Sequence, residues 1–102
     1  MPNFTVEDFV RECGSRFQFP VELVEKAISI AKEVEKSEIF SARSPKTVAC
    51  AILYHVGKQN GYEITQPIVE EKCGITESAL RKNTKIIRIF LENKDASFFD
   101  YL

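Results

Sequence analysis

The sequence predicts an all-α domain of five helices, and three observations carry that prediction. From Val48 to Tyr54 every residue is apolar, and the run lies between Ser44-Pro45, a helix start, and Gly57, a helix stop. A helix with no polar face must be buried all round, so this one is placed at the centre with the others wrapped about it. A strand is the rival for an apolar run, but length, Ala and Cys content and the flanking punctuation favour the helix. Elsewhere apolar residues recur at three- and four-residue spacing. Alternating β-branched runs joined by hairpin turns do not occur.

The chain has 102 residues, 44% of them hydrophobic and 28% charged, which suits one domain with one core and argues against disorder. Its formal net charge of −1 excludes nucleic-acid binding by bulk electrostatics, so any such contact must be local. Charge is unevenly placed: residues 1–40 carry five Lys/Arg against eight Asp/Glu, whereas residues 81–102 carry five against three. Cys13, Cys50 and Cys73 are odd in number, widely spaced and outside any CxxC pattern. Neither a disulfide framework nor a zinc site is expected from that spacing, and an intracellular, reduced setting fits it. No apolar run reaches membrane-spanning length, and the first residues lack a signal-peptide pattern.

Thr5 with Asp8 forms a capping-box pattern that opens a helix over about 5–17, with Val6, Phe9, Val10, Cys13 and Phe17 near one face. Gly14 marks a weak middle or an end. Pro20 starts the second helix, 20–36, where Val21, Val24, Ile28, Ala31 and Val34 repeat opposite a charged face. Ile39 and Phe40 in the connection are expected in the core. The central helix covers 44–57. Thr65-Gln66-Pro67 opens a short helix, 66–73, ended by Gly74, and Thr76 caps the last, 77–92, with Leu80, Asn83, Ile86 or Ile87, Phe90 and Leu91 inward. The aromatic tail, 96–102, either packs back on the domain or meets a partner.

Val69 to Arg81 has the layout of a helix-turn-helix: a short helix, a turn containing Gly74, and a second helix with apolar residues at Val69, Cys73, Ile75 and Leu80. Ser78, Arg81, Lys82 and Lys85 fall on the outer face of that second helix, Arg88 continues the stripe, and no acid interrupts it from Arg81 to Arg88. Arg can donate two bonds to the edge of guanine, Lys and Ser hold phosphates, and the helix N-terminus adds positive potential. The same pattern also suits a solvated charged face of a bundle helix. Glu70 stands where the tightest form of the motif has a small residue, unless it points outward. His55 is the only histidine, so no His-based dyad or multi-His metal site can form, and a carboxylate or carbonyl partner is expected for it. Cys50 and Cys73 occupy apolar positions and read as core packing. The four glycines are isolated, without a phosphate-binding loop, so neither an enzyme, a cofactor nor a metal is expected.

The segment Ala42 to Tyr54 resembles the third helix of a cyclin-like repeat in transcription factor IIB and its relatives, where Arg-x-Pro precedes small and aliphatic residues ending in an aromatic. Asp8-Phe9-Val10 through Phe19-Pro20 is similar to the first helix and the start of the second in that family's C-terminal, second repeat. Gly74-Ile75-Thr76 with Leu80-Arg81-Lys82 is similar to its helix-turn-helix. The likeness extends to about Asn93. It implies a cyclin-like fold with a buried helix 3 and a helix-turn-helix formed by helices 4 and 5. It also implies a transcription initiation role in the nucleus: binding promoter DNA beside the TATA element with TATA-binding protein, helping assemble the preinitiation complex.

Carried over by position, Arg81 matches an arginine that contacts the upstream element, Ser78 its neighbour one turn earlier, and Arg43 an arginine expected near a phosphate. Lys82, Lys85 and Arg88 follow from the stripe. Ala42 replaces a usual glycine, and Ser78 an apolar base reader. The family's zinc ribbon and first repeat have no counterpart in these residues, so one repeat of a longer factor is implied. Such a repeat would be monomeric, bind DNA weakly alone and reach the RNA polymerase machinery through the full-length factor. The alternative is a cyclin-fold protein-binding module that contacts no DNA.

Overall fold

The computed structural model describes residues 4–100, with side chains described through Asn93 apart from Ile39. Its elements are α1 (Val6–Arg16), α2 (Val21–Glu35), a single 3-10 turn at Glu38–Phe40, α3 (Pro45–Gln59), α4 (Gln66–Cys73) and α5 (Glu77–Asp100), with no strand among the described residues. Helix α3 touches all four other helices, which is the buried centre of a five-helix cyclin-like arrangement. Val48 through Leu53 are completely buried, followed by Val56, so side chains project from α3 into the core in every direction. Each Ile, Leu or Val there contributes about 1.5–3 kcal/mol of burial, and that, more than helix propensity, holds α3 in place.

The capping box that opens α1 is formed: the Asp8 amide donates to Thr5 Oγ1 at 3.2 Å, and the Thr5 amide to Asp8 Oδ2 at 2.9 Å. Val10 and Cys13 are buried beneath it, with Phe9 and Phe17 partly so, and Gly14 lies buried within the helix rather than at its end. In α2 the inner face is carried by Leu23, Ala27, Ile28, Ala31 and Val34. Val21, the first residue of the helix, is the exception to the expected face, at 72% exposure. Phe40 is buried and meets the Phe90 ring edge-on at 5.5 Å.

The start of α3 is as expected and its end is corrected. Ser44 is the N-cap residue but makes no side-chain hydrogen bond there, and the start rests on Pro45, whose fixed φ suits the first turn and whose missing N–H leaves no orphan. Gly57 does not stop the helix, which runs two residues further and ends at Asn60, whose side chain donates to the Val56 carbonyl at 2.7 Å. Gly57 permits close approach instead: a Cβ there would lie 3.0 Å from Phe19 Cζ and 3.2 Å from Ile64 Cγ2. Helix α5 is longer than expected, its backbone continuing through Asp100. Whether the aromatic tail packs back lies outside the described side chains.

Candidate nucleic-acid interface

Two hydrogen-bonded caps and one left-handed residue set the angle between α4 and α5. The Ile68 amide donates to Thr65 Oγ1 at 3.3 Å, which opens α4. Gly74 closes it at φ 71° and ψ 29°, its amide donating to the Glu70 carbonyl at 2.9 Å, a conformation that a Cβ would disfavour. Ile75 is buried at the turn, and the Ala79 amide donates to Thr76 Oγ1 at 3.1 Å to open α5. Val69, Cys73 and Leu80 are buried as the helix-turn-helix pattern requires, and Glu70 points outward, so it does not hold the helices apart. From α1, Arg16 Nη1 donates to the Lys72 carbonyl at 3.0 Å and satisfies one of the last carbonyls of α4.

On α5 the two faces separate cleanly. Leu80, Asn83 and Ile87 are buried, whereas Ser78, Arg81, Lys82, Lys85 and Arg88 are exposed. The ion pairs among the described residues, Arg11–Glu7 and Arg16–Glu12, both lie within α1, and neither involves the α5 stripe. Arg81, Lys85 and Arg88 line a groove of about 300 Å³ together with Thr84, Tyr54 and Gln66. Thr84 Oγ1 is buried, without a hydrogen-bond partner among the described residues. Three exposed cations along one groove make a place where an anionic oxygen is favoured by charge.

Tyr54 and Gln66 were not singled out from the sequence. Tyr54 ends the apolar run and reads as core, yet it is only half-buried, and Lys58 one turn on sits over its ring at 5.6 Å from the centroid. An aromatic with Lys four residues later at the end of an apolar run was the available signal. His55 beside it is half-buried, and the charge that acts on it is that of Arg88. Burial first, and Arg88 second, hold its imidazole below the ordinary 6.5, so the neutral form is favoured.

Arg43 does not join the stripe. It is half-buried in a separate cleft with Thr5, Val34 and Phe40, and its Nη1 donates to Asn83 Oδ1 at 3.4 Å on the inward face of α5. Asn83 in turn donates to the Ala79 carbonyl at 2.8 Å. This polar pair satisfies the buried amide of Asn83 and fixes the start of α3 against α5.

The family model for the transcription factor TFIIB repeat matches residues 2–88. The chain belongs to the TFIIB repeat family. This TFIIB repeat is 33% identical over 78 residues to transcription initiation factor IIB of Methanothermococcus thermolithotrophicus, a match covering 76% of the chain and 23% of the relative. It is 41% identical over 85 residues to transcription initiation factor IIB of Archaeoglobus fulgidus, covering 83% and 26%. To transcription initiation factor IIB 1 of Thermoplasma volcanium it is 29% identical over 79 residues, covering 78% and 25%. The matched part thus spans about a quarter of the length of these relatives. These relatives are transcription initiation factors by name.

Proposed function

We propose that this domain acts as the second cyclin-like repeat of a transcription initiation factor, laying α5 on promoter DNA beside the TATA element while TATA-binding protein holds the same DNA. The observation that carries the proposal is the exposed cationic row of Arg81, Lys85 and Arg88, which makes no ion pair among the described residues and lines a groove with Tyr54 and Gln66. In this reading Arg81, near the start of the helix, reads a base edge. Ser78, Lys82, Lys85 and Arg88 hold phosphates. Arg43 orients α5 through Asn83 and keeps its remaining guanidinium donors for the backbone of the duplex.

About four phosphate contacts give a log–log salt slope near −3.6 for B-DNA, enough for weak binding alone and for strong dependence on a partner. The domain therefore works as a monomer within a larger assembly. It reaches RNA polymerase through the rest of the factor, performs no chemistry itself, and resides where the promoter does, in the nucleus of a eukaryotic cell. An electrophoretic shift on TATA-containing DNA, with and without TATA-binding protein across a salt series, tests this. The expected result is a supershift that weakens steeply with salt.

A second reading has one observation in its favour. Ile86, Ile89 and Phe90 line an apolar hollow with Asn93 on the later part of α5, and Ile89 is 43% exposed. A protein-binding module without DNA contact would use that hollow. The absence of any supershift at every salt concentration would select it.

A further inference from the structure

The three cysteines, far apart in the chain, meet in space. Cys13 on α1, Cys50 on α3 and Cys73 at the end of α4 place their sulfurs within 4.8 Å of one another, and the Sγ atoms of Cys13 and Cys50 are 3.8 Å apart. All three are buried, the most exposed at 1%. Among the described residues no histidine or carboxylate joins the group, so its donor set is sulfur alone. A metal–sulfur bond of about 2.3 Å separates thiolates by about 3.8 Å in a tetrahedron and about 4.0 Å in a trigonal plane. The Cys13–Cys50 spacing of 3.8 Å already suits a shared ion, and all three sulfurs lie within 4.8 Å of one another.

Spacing in sequence did not suggest this, because ligand patterns such as CxxC report only ligands held on one local turn. Here the packing of α1 and α4 on α3 assembles the group. We propose that Cys13, Cys50 and Cys73 form a three-thiolate site for one soft, monovalent d10 cation, with Cu(I) as the occupant. Thiolates select soft ions. A buried site with three sulfurs and no further donor suits a three-coordinate ion better than zinc, which takes a fourth ligand.

A monovalent ion on three thiolates leaves a net charge of −2 at the site, and zinc one of −1. Loading the ion displaces the remaining thiol protons to solvent. It also fastens the last turn of α4, and so the Gly74 turn, to α1 and α3. The proposal is independent of DNA binding.

The reduced full chain is titrated anaerobically with Cu(I) in competition with bathocuproine disulfonate. One ion per chain, a sulfur-to-copper charge-transfer band and three sulfur scatterers in the copper X-ray absorption fine structure are expected. Cys13→Ala and Cys73→Ala should each lower affinity by roughly 100-fold or more. No retention of copper against the chelator, a two-sulfur count, more than one ion per chain, or binding unchanged in both variants would overturn it. Zinc held one-to-one that Cu(I) cannot displace would also overturn it. The sulfur count on the unaltered chain decides the matter even where a variant fails to fold.

Discussion

Helices α3 and α5 pack against each other, yet they do opposite work. On α3, six successive residues from Val48 to Leu53 are fully buried, and the helix has no outward face until Tyr54 and His55. On α5, Leu80, Asn83 and Ile87 anchor one side while Arg81, Lys85 and Arg88 stand opposite. The lesson is a division of energy: α3 holds the fold by burial, and α5 spends only half of its surface on folding. Where they face each other, at Tyr54, Thr84 and Arg88, the groove forms.

Breaking α3 should therefore unfold the domain. Leu53→Ala removes a fully buried side chain and should destabilise by about 2–5 kcal/mol, read from chemical denaturation. Arg81→Ala should do the converse. It should leave the denaturation midpoint in place, cost about 1–3 kcal/mol in a complex with promoter DNA and TATA-binding protein, and relax preference at one base position. A loss of stability in that variant would show that the two faces of α5 are not separable. Gly74→Ala joins the two effects, because its φ of 71° costs about 1–2 kcal/mol for an L side chain and because the turn aims α5. Denaturation should move by that amount and the DNA complex should weaken with it.

The smallest effect concerns His55 at the junction. Its imidazole is held below 6.5 in the folded chain by burial and by Arg88, so the unfolded chain takes up a proton first as pH falls. Stability is then fully present above about pH 6.5 and declines below it. His55→Gln should flatten that decline between about pH 7 and pH 5 in thermal melts. A phosphate against Arg88 should raise the His55 value, visible as a shift of its imidazole resonance when DNA is added.

The helices themselves were legible because each carries its own signals. Thr5 and Asp8, Thr65 and Pro67, Gly74 and Thr76 act within four residues of where they stand, and all of these caps and stops are formed. The basic stripe was legible for the same reason, since faces of one helix follow from its period. Gly57 was misread because a glycine near a helix end has more than one use. Packing chose between those uses, through the ring of Phe19 and the side chain of Ile64.

By itself, then, the sequence determined an all-α chain, a central helix buried on every side and an unbroken row of cations on the last helix. Only tertiary structure decided that Arg43 turns to Asn83, that Tyr54 and Gln66 line one groove with Arg81 and Lys85, and that three cysteines share one small volume. The physical reason is range. Capping and helical period act over a few residues and are written locally, whereas the meeting of side chains 15 or more positions apart depends on how whole helices settle against α3.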